Sequence, residues 1–352
     1  MSMFKTWRLL EHVSPDFRMN WAINETIFRS RRTNLTLDTL RLWQGLKSII
    51  LGGSASYKDD INYEVCQKHH VEVVRANSVI PKVVYHDAGS LNVTFAINVK
   101  SLENIIKDHK PILSEYQILN ESIVKGLQKL GVNVKANHDG IYIADKRISD
   151  SLPVWFYDYL LFQLTLHINT DLSIYEQIIK TKEHLTSLSH ELREKIAMDD
   201  VKEAIVQGVE ETFDVKLEKQ NLTEDEQKLA EKLFRVKYSL NKWNINGHEP
   251  FLIGMGKTTV EVFVAYPPTS MCRKLIELVN DVVSDLQDEV SVMIWMRGRG
   301  VYQHGPYPEI SPVLSRAHKQ SIIPAVIING ELKFSGSIPL REDLRKAILN
   351  AL

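Results

Sequence analysis

Two short stretches of the sequence set cations beside residues that could hold an anion. The first runs from Arg75 through Lys82, His86 and Asp87 to Gly89 and Asn92. An arginine takes a carboxylate or phosphate through a planar fork of donors, and a lysine adds a compact charge. The second stretch is Lys146-Arg147-Ile148-Ser149-Asp150-Ser151. Neighbouring side chains of a strand face opposite ways, so Lys146 and Arg147 cannot stand in for one another. Arg147 has bidentate reach to phosphate or carboxylate, while Asp150 brings negative charge to the same place. A third candidate is Cys272, near the start of a helix behind Thr269. A single cysteine cannot complete a dithiol cycle, which leaves monothiol chemistry or a buried, inert thiol.

Between Arg75 and His86 the chain reads Ser78-Val79-Ile80-Pro81-Lys82-Val83. Val79 and Ile80 are β-branched and resist positive φ. Pro81 has no N–H to donate and holds Ile80 extended. This connector is ill suited to wrap its backbone around a phosphate. Lys82 could supply charge to a phosphate or lie in solvent. His86 and Asp87 could contact a ligand or brace the connector through side-chain hydrogen bonds.

Four pieces of the chain, in order, resemble the lipoate–protein ligase A family, with its biotin/lipoate ligase fold. They are Met19–Glu25, Ile61–Glu64 with Val71–Arg75, Tyr85–Asn92, and Lys237-Tyr238 with Trp243-Asn244. Tyr85-His86-Asp87-Ala88-Gly89-Ser90-Leu91-Asn92 carries the most identities. The resemblance implies a mixed sheet flanked by helices, then a small α-rich accessory subdomain. It implies a chemistry in which lipoate and ATP, with magnesium, form an acyl-adenylate whose acyl group passes to a lysine of a lipoyl-carrier protein. It also implies ligand-binding roles for Arg75, Lys82, His86, Asp87, Asn92 and Ser149, and catalytic roles for Arg147 or Lys146.

Three segments depart from that family. Its glycine run is replaced by Ser78–Val83. Its catalytic lysine position holds Arg147, and its Ser-Gly-Ser reads Ser149-Asp150-Ser151. Its His-Gly-Thr strand appears as Gln163-Leu164-Thr165. The expectation is a degenerate ligase-like protein that recognises a lipoyl group or lipoyl carrier and needs no cofactor. The alternative is an active, divergent ligase using lipoate and ATP/Mg.

The elements that must position these residues read as an α/β (α+β) chain. Strands are expected at Trp7–Leu10, Thr39–Trp43, Ser48–Leu51, Val71–Ala76 and Val83–Ile97. Helices are expected from Ser14-Pro15-Asp16, over Ile61–His69 capped by Asp60, and over Asn104–Leu130 with a break at Pro111. Asn137-His138-Asp139-Gly140 reads as a hairpin turn. Residues Asp171–Lys242 read as mostly helical, with a capping box at Thr223–Glu226. The expected domains are 1–170, a ligase-like domain; 171–247, the accessory subdomain; and 248–352, a small α/β domain after the His248-Glu249-Pro250 gap. Residues 257–352 resemble a thioredoxin-like or glutaredoxin-like domain, with Pro324 at that fold's cis-proline position, a helix at Pro312–Lys319 and an Asn329-Gly330 turn. If Cys272 were a working thiol, the domain would act on a lipoyl dithiolane.

The near-neutral net charge of -1 gives no reason to expect nucleic acid or an acidic membrane as partner. With only two cysteines, Cys66 and Cys272, a disulfide framework and a four-thiolate metal site are both excluded. Cysteine usage, together with the lack of a signal-like or membrane-spanning apolar stretch, points to the cytoplasm.

Overall fold

A computed structural model describes residues 5–352 apart from 54, 79, 103–110, 157, 181–183, 246, 248–257, 266, 287–288, 298–322 and 330. The chain divides into two compact units, Met1–Phe234 and Arg235–Leu352.

The first unit begins with β1 (Lys5–Leu10), α1 (Phe17–Arg32), β2 (Thr39–Trp43), β3 (Ser48–Leu51) and α2 (Tyr63–Lys68). It continues through β4 (Glu72–Arg75), β5 (Val83–His86), β6 (Ser90–Asn98), α3 (Pro111–Lys129), β7 (Val134–Asn137) and β8 (Gly140–Ile143). Then come β9 (Lys146–Arg147), β10 (Ser149–Phe156), β11 (Tyr159–His167), α4 (Tyr175–Ile178) and α5 (Leu188–Leu192). It closes with α6 (Met198–Phe213), β12 (Val215–Lys219) and α7 (Glu224–Leu233). A six-stranded sheet runs β10-β11-β6-β2-β1-β12, and a smaller one runs β4-β3-β5.

Alternation divides the large sheet into two faces. Leu91, Val93, Phe95 and Ile97 of β6, with Phe162, Leu164 and Leu166 of β11, pack beneath α3 and α6 to form the main core. The opposite face carries Ser90, Asn92 and Thr94 of β6 and Gln163, Thr165 and His167 of β11, paired in register. Arg41 of β2 lies beside Thr94, and Asp150 of β10 beside Thr165. These side chains are all buried. Helix α1 covers part of this face. Its Asn20 and Asn24 carboxamide oxygens accept from Arg41 at 2.7 and 2.6 Å, and Asn24 donates to Gln163 at 3.0 Å.

Several expectations are corrected by the structure. The single strand expected over Val83–Ile97 is two strands in two sheets, because Asp87-Ala88-Gly89 turns the chain between them. The Asp87 carboxylate fixes that turn by accepting from the Gly89 N–H at 2.9 Å. Helix α1 is capped by Asp16, whose side chain accepts from the Arg18 and Met19 N–H groups, so Pro15 lies outside the helix. Helix α2 is capped by Asn62 rather than Asp60. The segment expected to be mostly helical after Asp171 contains β12, which pairs in parallel with β1. The capping box is present, with Thr223 and Glu226 in reciprocal hydrogen bonds. Helix α3 begins at Pro111; residues 104–110 of that expected helix lie outside the described residues, as do Val79 and 248–250.

The second unit holds α8 (Asn241–Asn244), β13 (Thr258–Ala265), α9 (Ser270–Val282), β14 (Val290–Arg297), β15 (Ala325–Ile328), β16 (Glu331–Ser335) and α10 (Arg341–Leu349). Its four-stranded sheet runs β14-β13-β15-β16. β13 and β14 are parallel, and β15 is antiparallel to both its neighbours. Val260, Val262 and Val264 pack with Leu275, Val279, Leu344 and Ile348. Thr269 caps α9, accepting from the Cys272 N–H at 3.2 Å. The Ile323–Pro324 peptide bond is cis. Ahead of this sheet, the Lys237 ammonium lies 4.2 Å from the Trp243 ring centroid and 5.4 Å from that of Tyr238. The helix expected at Pro312–Lys319 and Gly330 of the expected turn lie outside the described residues.

Candidate functional site

The polar face of the large sheet meets the connector before β5 in a continuous seam of buried polar side chains. Its charged end is Asp150. The Lys82 ammonium stands 2.7 Å from Asp150 Oδ1, and the Arg147 guanidinium stands 3.0 Å from the same oxygen. His167 Nε2 lies 3.5 Å from Asp150 Oδ2. The carboxylate is 2% exposed, whereas the Lys82 and Arg147 side chains keep 17% and 13%, so the two cations form the open end of the seam. Burial by itself would push the Asp150 carboxyl up. The Lys82 charge, the His167 hydrogen bond and the Arg147 charge outweigh it and hold the group well below the usual carboxylate range. Tyr175, on α4, is pushed up to about 12, first by burial and then by the Asp150 charge.

From Asp150 the seam runs inward. His167 Nδ1 lies 3.3 Å from the Thr170 hydroxyl, which is 2.9 Å from the Ser90 hydroxyl. Ser90 in turn donates to Asp87 at 3.3 Å, and Asp87 also accepts from the Asp171 N–H at 2.9 Å. A second branch joins His86, Asn92 and Thr165. The Thr165 hydroxyl donates to Asn92 Oδ1 at 2.8 Å, which turns the Asn92 amide nitrogen towards His86 Nδ1 at 3.1 Å. An amide nitrogen only donates, so Nδ1 accepts and the imidazole proton resides on Nε2. Burial holds the His86 imidazole down to about 3; His167 adds to this and the Gly45 backbone opposes it. Phe17 and Trp43 flank the ring at centroid distances of 5.2 and 5.9 Å.

The connector itself is pinned. Arg75 donates to the carbonyls of Gly52, Gly53 and Ala55 at 3.0, 3.0 and 2.8 Å, and burial lowers its pKa to about 10. The Gly52 N–H donates to the Lys82 carbonyl at 2.7 Å, and the Gly53 N–H to the Ser78 carbonyl at 2.5 Å. A Cβ at Gly52 or Gly53 would strike the Ile80 or Ser78 carbonyl oxygen. The glycine pair thus admits the chain's own connector, and its N–H groups are taken up by that connector's carbonyls. The Ser78 hydroxyl donates to the Pro153 carbonyl at 2.9 Å, tying the connector to β10.

The structure therefore brings Lys82, His86, Asp87, Asn92 and Arg147 together in or beside one seam. It places Arg75 on the glycine turn next to the connector. Ser149 lies on the other face of β10, where its hydroxyl accepts from the Ile141 N–H at 2.8 Å. Lys146 points away from Arg147 and pairs with Glu191 at 3.0 Å. Cys272 is buried in the second unit beside Thr269, and Pro324 precedes β15 there. Cys66, on α2, is also buried, and burial pushes its thiol up to about 11. His167, Thr170 and Ser90 escape the sequence reading, as does the role of Asp150 as a shared partner. The signal for His167 and Thr165 is their place as the polar members of the alternating Phe162–His167 run.

This geometry sits within a chain of evident kin. Residues 16–210, more than half of the sequence, match the lipoyl protein ligase A/B catalytic domain. Lipoate-protein ligase A subunit 1 of Thermoplasma acidophilum is 25% identical over 259 residues, covering 67% of this chain and 95% of that protein. The octanoyltransferase LipM of Carboxydothermus hydrogenoformans is 24% identical, covering 68% of this chain and 98% of its own. Among solved structures, a T. acidophilum protein with bound lipoic acid superposes with a TM-score of 0.60 at 24% identity, over 68% of this chain and 99% of that one. A lipoate-protein ligase A bound with ATP superposes with a TM-score of 0.61 at 24% identity, over 68% and 98%. The chain belongs to the lipoyl protein ligase A/B catalytic-domain family.

Proposed function

We propose that this protein recognises a lipoyl-type acyl group, presented on a carrier protein, without forming an acyl-adenylate. The observation that carries the reading is the internal neutralisation of its anion-binding groups. Lys82 and Arg147 converge on Asp150. The Gly52 and Gly53 N–H groups donate to carbonyls of the connector. Adenylation requires cations and backbone donors aimed at a carboxylate and a polyphosphate as charge develops. Here both sets already have partners within the chain. A T. acidophilum relative was solved as a bipartite ligase together with its E2 lipoyl domain, which supports a lipoyl carrier as the partner here.

Acyl transfer through a thiol finds no support in the first unit. Its Cys66 is buried and raised, the reverse of what a thiolate nucleophile requires. In the second unit, the β14-β13-β15-β16 order with helices α9 and α10 supports a thioredoxin-like reading, in which that unit would serve partner recognition. The two free cysteines suit a reducing cytoplasm.

One observation favours the alternative of an active, divergent ligase. Lys82 and Arg147 retain partial exposure, 17% and 13%, at the open end of the seam. The deciding experiment incubates the protein with lipoate, ATP, magnesium and an apo-lipoyl domain, and follows the carrier's mass. The expected result is no acylation, with retention of the lipoylated domain in a pull-down. Acylation that disappears in Arg147→Ala would establish the ligase reading in its place.

A further inference from the structure

We infer that Asp150 sets the chemical form of ligand the site accepts. It excludes a free carboxylate and leaves room only for the neutral, amide-linked acyl group. The inference rests on the acyl-recognition reading above and adds the charge state of the ligand.

Asp150 comes from β10, Lys82 from the connector before β5 and Arg147 from β9, so three separate elements deliver one anion between two cations. Both cations approach the same oxygen, Oδ1, at 2.7 and 3.0 Å, yet that oxygen accepts no well-aligned hydrogen bond. The contact is one of charge more than of directed bonding, which is how a diffuse ligand carboxylate would also be held. A carboxylate arriving here would meet two cations already engaged by Asp150, with the Asp150 charge directly behind them to repel it. Further in, the seam reaches a second carboxylate, Asp87, and the groups before it are neutral: Asn92, Thr165, Thr170 and the uncharged His86. Such groups meet an amide without any charge to neutralise, whereas a buried carboxylate without a counter-charge is strongly disfavoured. An acyl group already joined to a carrier lysine has this neutral form; the free acid does not.

The test titrates the full-length protein with lipoate and with lipoamide, which differ only in the charged end, and repeats both with Asp150→Asn. Wild type is expected to bind lipoamide at least about tenfold more tightly than lipoate. In D150N, lipoate should gain about tenfold while lipoamide changes little. Equal wild-type affinity for the two ligands would overturn the inference, and that comparison needs no variant to fold. So would lipoate binding unchanged in a D150N protein of native circular dichroism. If neither ligand binds either protein, the acyl-recognition reading itself fails. A separate arm then reads Asp150 alone: pyrophosphate should raise the melting temperature of D150N and not of wild type. An equal response in both shows that Asp150 is not what keeps anions out.

Discussion

Two of the buried ion pairs described in the first unit are built on opposite plans. Arg8 of β1 meets Glu226 of α7 through two parallel bonds of 2.8 Å, and its Nε donates to Thr39 at 3.1 Å. Glu226 also closes the capping box with Thr223, and both partners are 1% exposed. Each charge has one partner and each donor a directed acceptor. Asp150, by contrast, is one carboxylate shared by Lys82 and Arg147, with His167 at its second oxygen. Its cations are partly open, at 17% and 13% exposure. A saturated one-to-one pair is architecture: it fastens α7 to the sheet and offers nothing to a ligand. A partly open cluster on one shared carboxylate is where a ligand's charge would be felt. On the proposed reading, this difference, more than burial or pair count, separates site from scaffold.

The largest expected effect breaks the first pair. Glu226→Gln leaves the Arg8 guanidinium buried without its counter-charge and loses part of the cap. It should destabilise the first unit by about 3–5 kcal/mol, measured by urea unfolding, with ligand affinity unchanged in whatever folded protein remains. A loss below about 1 kcal/mol, the scale of an exposed pair, would remove the distinction drawn here.

Asp150→Asn should act more gently on stability, because Lys82 and Arg147 can turn to water. We expect a loss of about 1–3 kcal/mol. Added pyrophosphate should restore it in this variant and leave E226Q unaffected. Restoration of both, or of neither, would show that the two pairs are alike after all.

Acid separates the seam from the rest of the sheet. The His86 imidazole is held neutral to about 3, while an unfolded histidine protonates near its ordinary 6.5. Between those values the unfolded state binds the extra proton, so stability falls as pH falls, by about 1.4 kcal/mol per pH unit. Above 6.5 the group contributes no pH dependence. Asp150 works the other way round in protonation but with the same sense: its stabilising charge is present above the ordinary carboxylate range and is lost as pH falls below it. His86→Gln should therefore flatten the stability profile between about pH 6 and 4 and leave a steeper fall in stronger acid. An unchanged slope in that window would mean that His86 is not held neutral by the fold.

Much of this is legible in the sequence alone. Alternation in Leu91–Ile97 and Phe162–His167 marks the two central strands and their polar face, because a strand's period is fixed by the backbone. The Thr223–Glu226 cap is a local pattern and shows itself locally. The connector's unsuitability for a phosphate follows from Ile80 and Pro81 alone. What escaped is what depends on distant partners. Arg8 and Glu226 lie 218 residues apart, and neither residue type announces the other. Asp150 reads in sequence as a charge that spoils an anion site. Only the structure shows Lys82 and Arg147 converging on it. The division of Val83–His86 from Ser90–Asn98 was hidden because both halves are good strand sequence, and only Asp87-Ala88-Gly89 breaks them.

The smallest effect tests the alternation that assigns Arg147, and not its neighbour, to the seam. Lys146 faces outward, with its ammonium paired to Glu191 and 47% of the side chain exposed. Water screens such a pair, so Lys146→Ala should change stability by less than about 0.5 kcal/mol. It should also leave the preference for lipoamide over lipoate where it stands in wild type. Arg147→Met, one position on, removes a cation from Asp150 and should lower the already weak affinity for lipoate further. Ligand binding that responds to Lys146 as strongly as to Arg147 would mean that both side chains reach the ligand, and a flat two-residue strand cannot allow that.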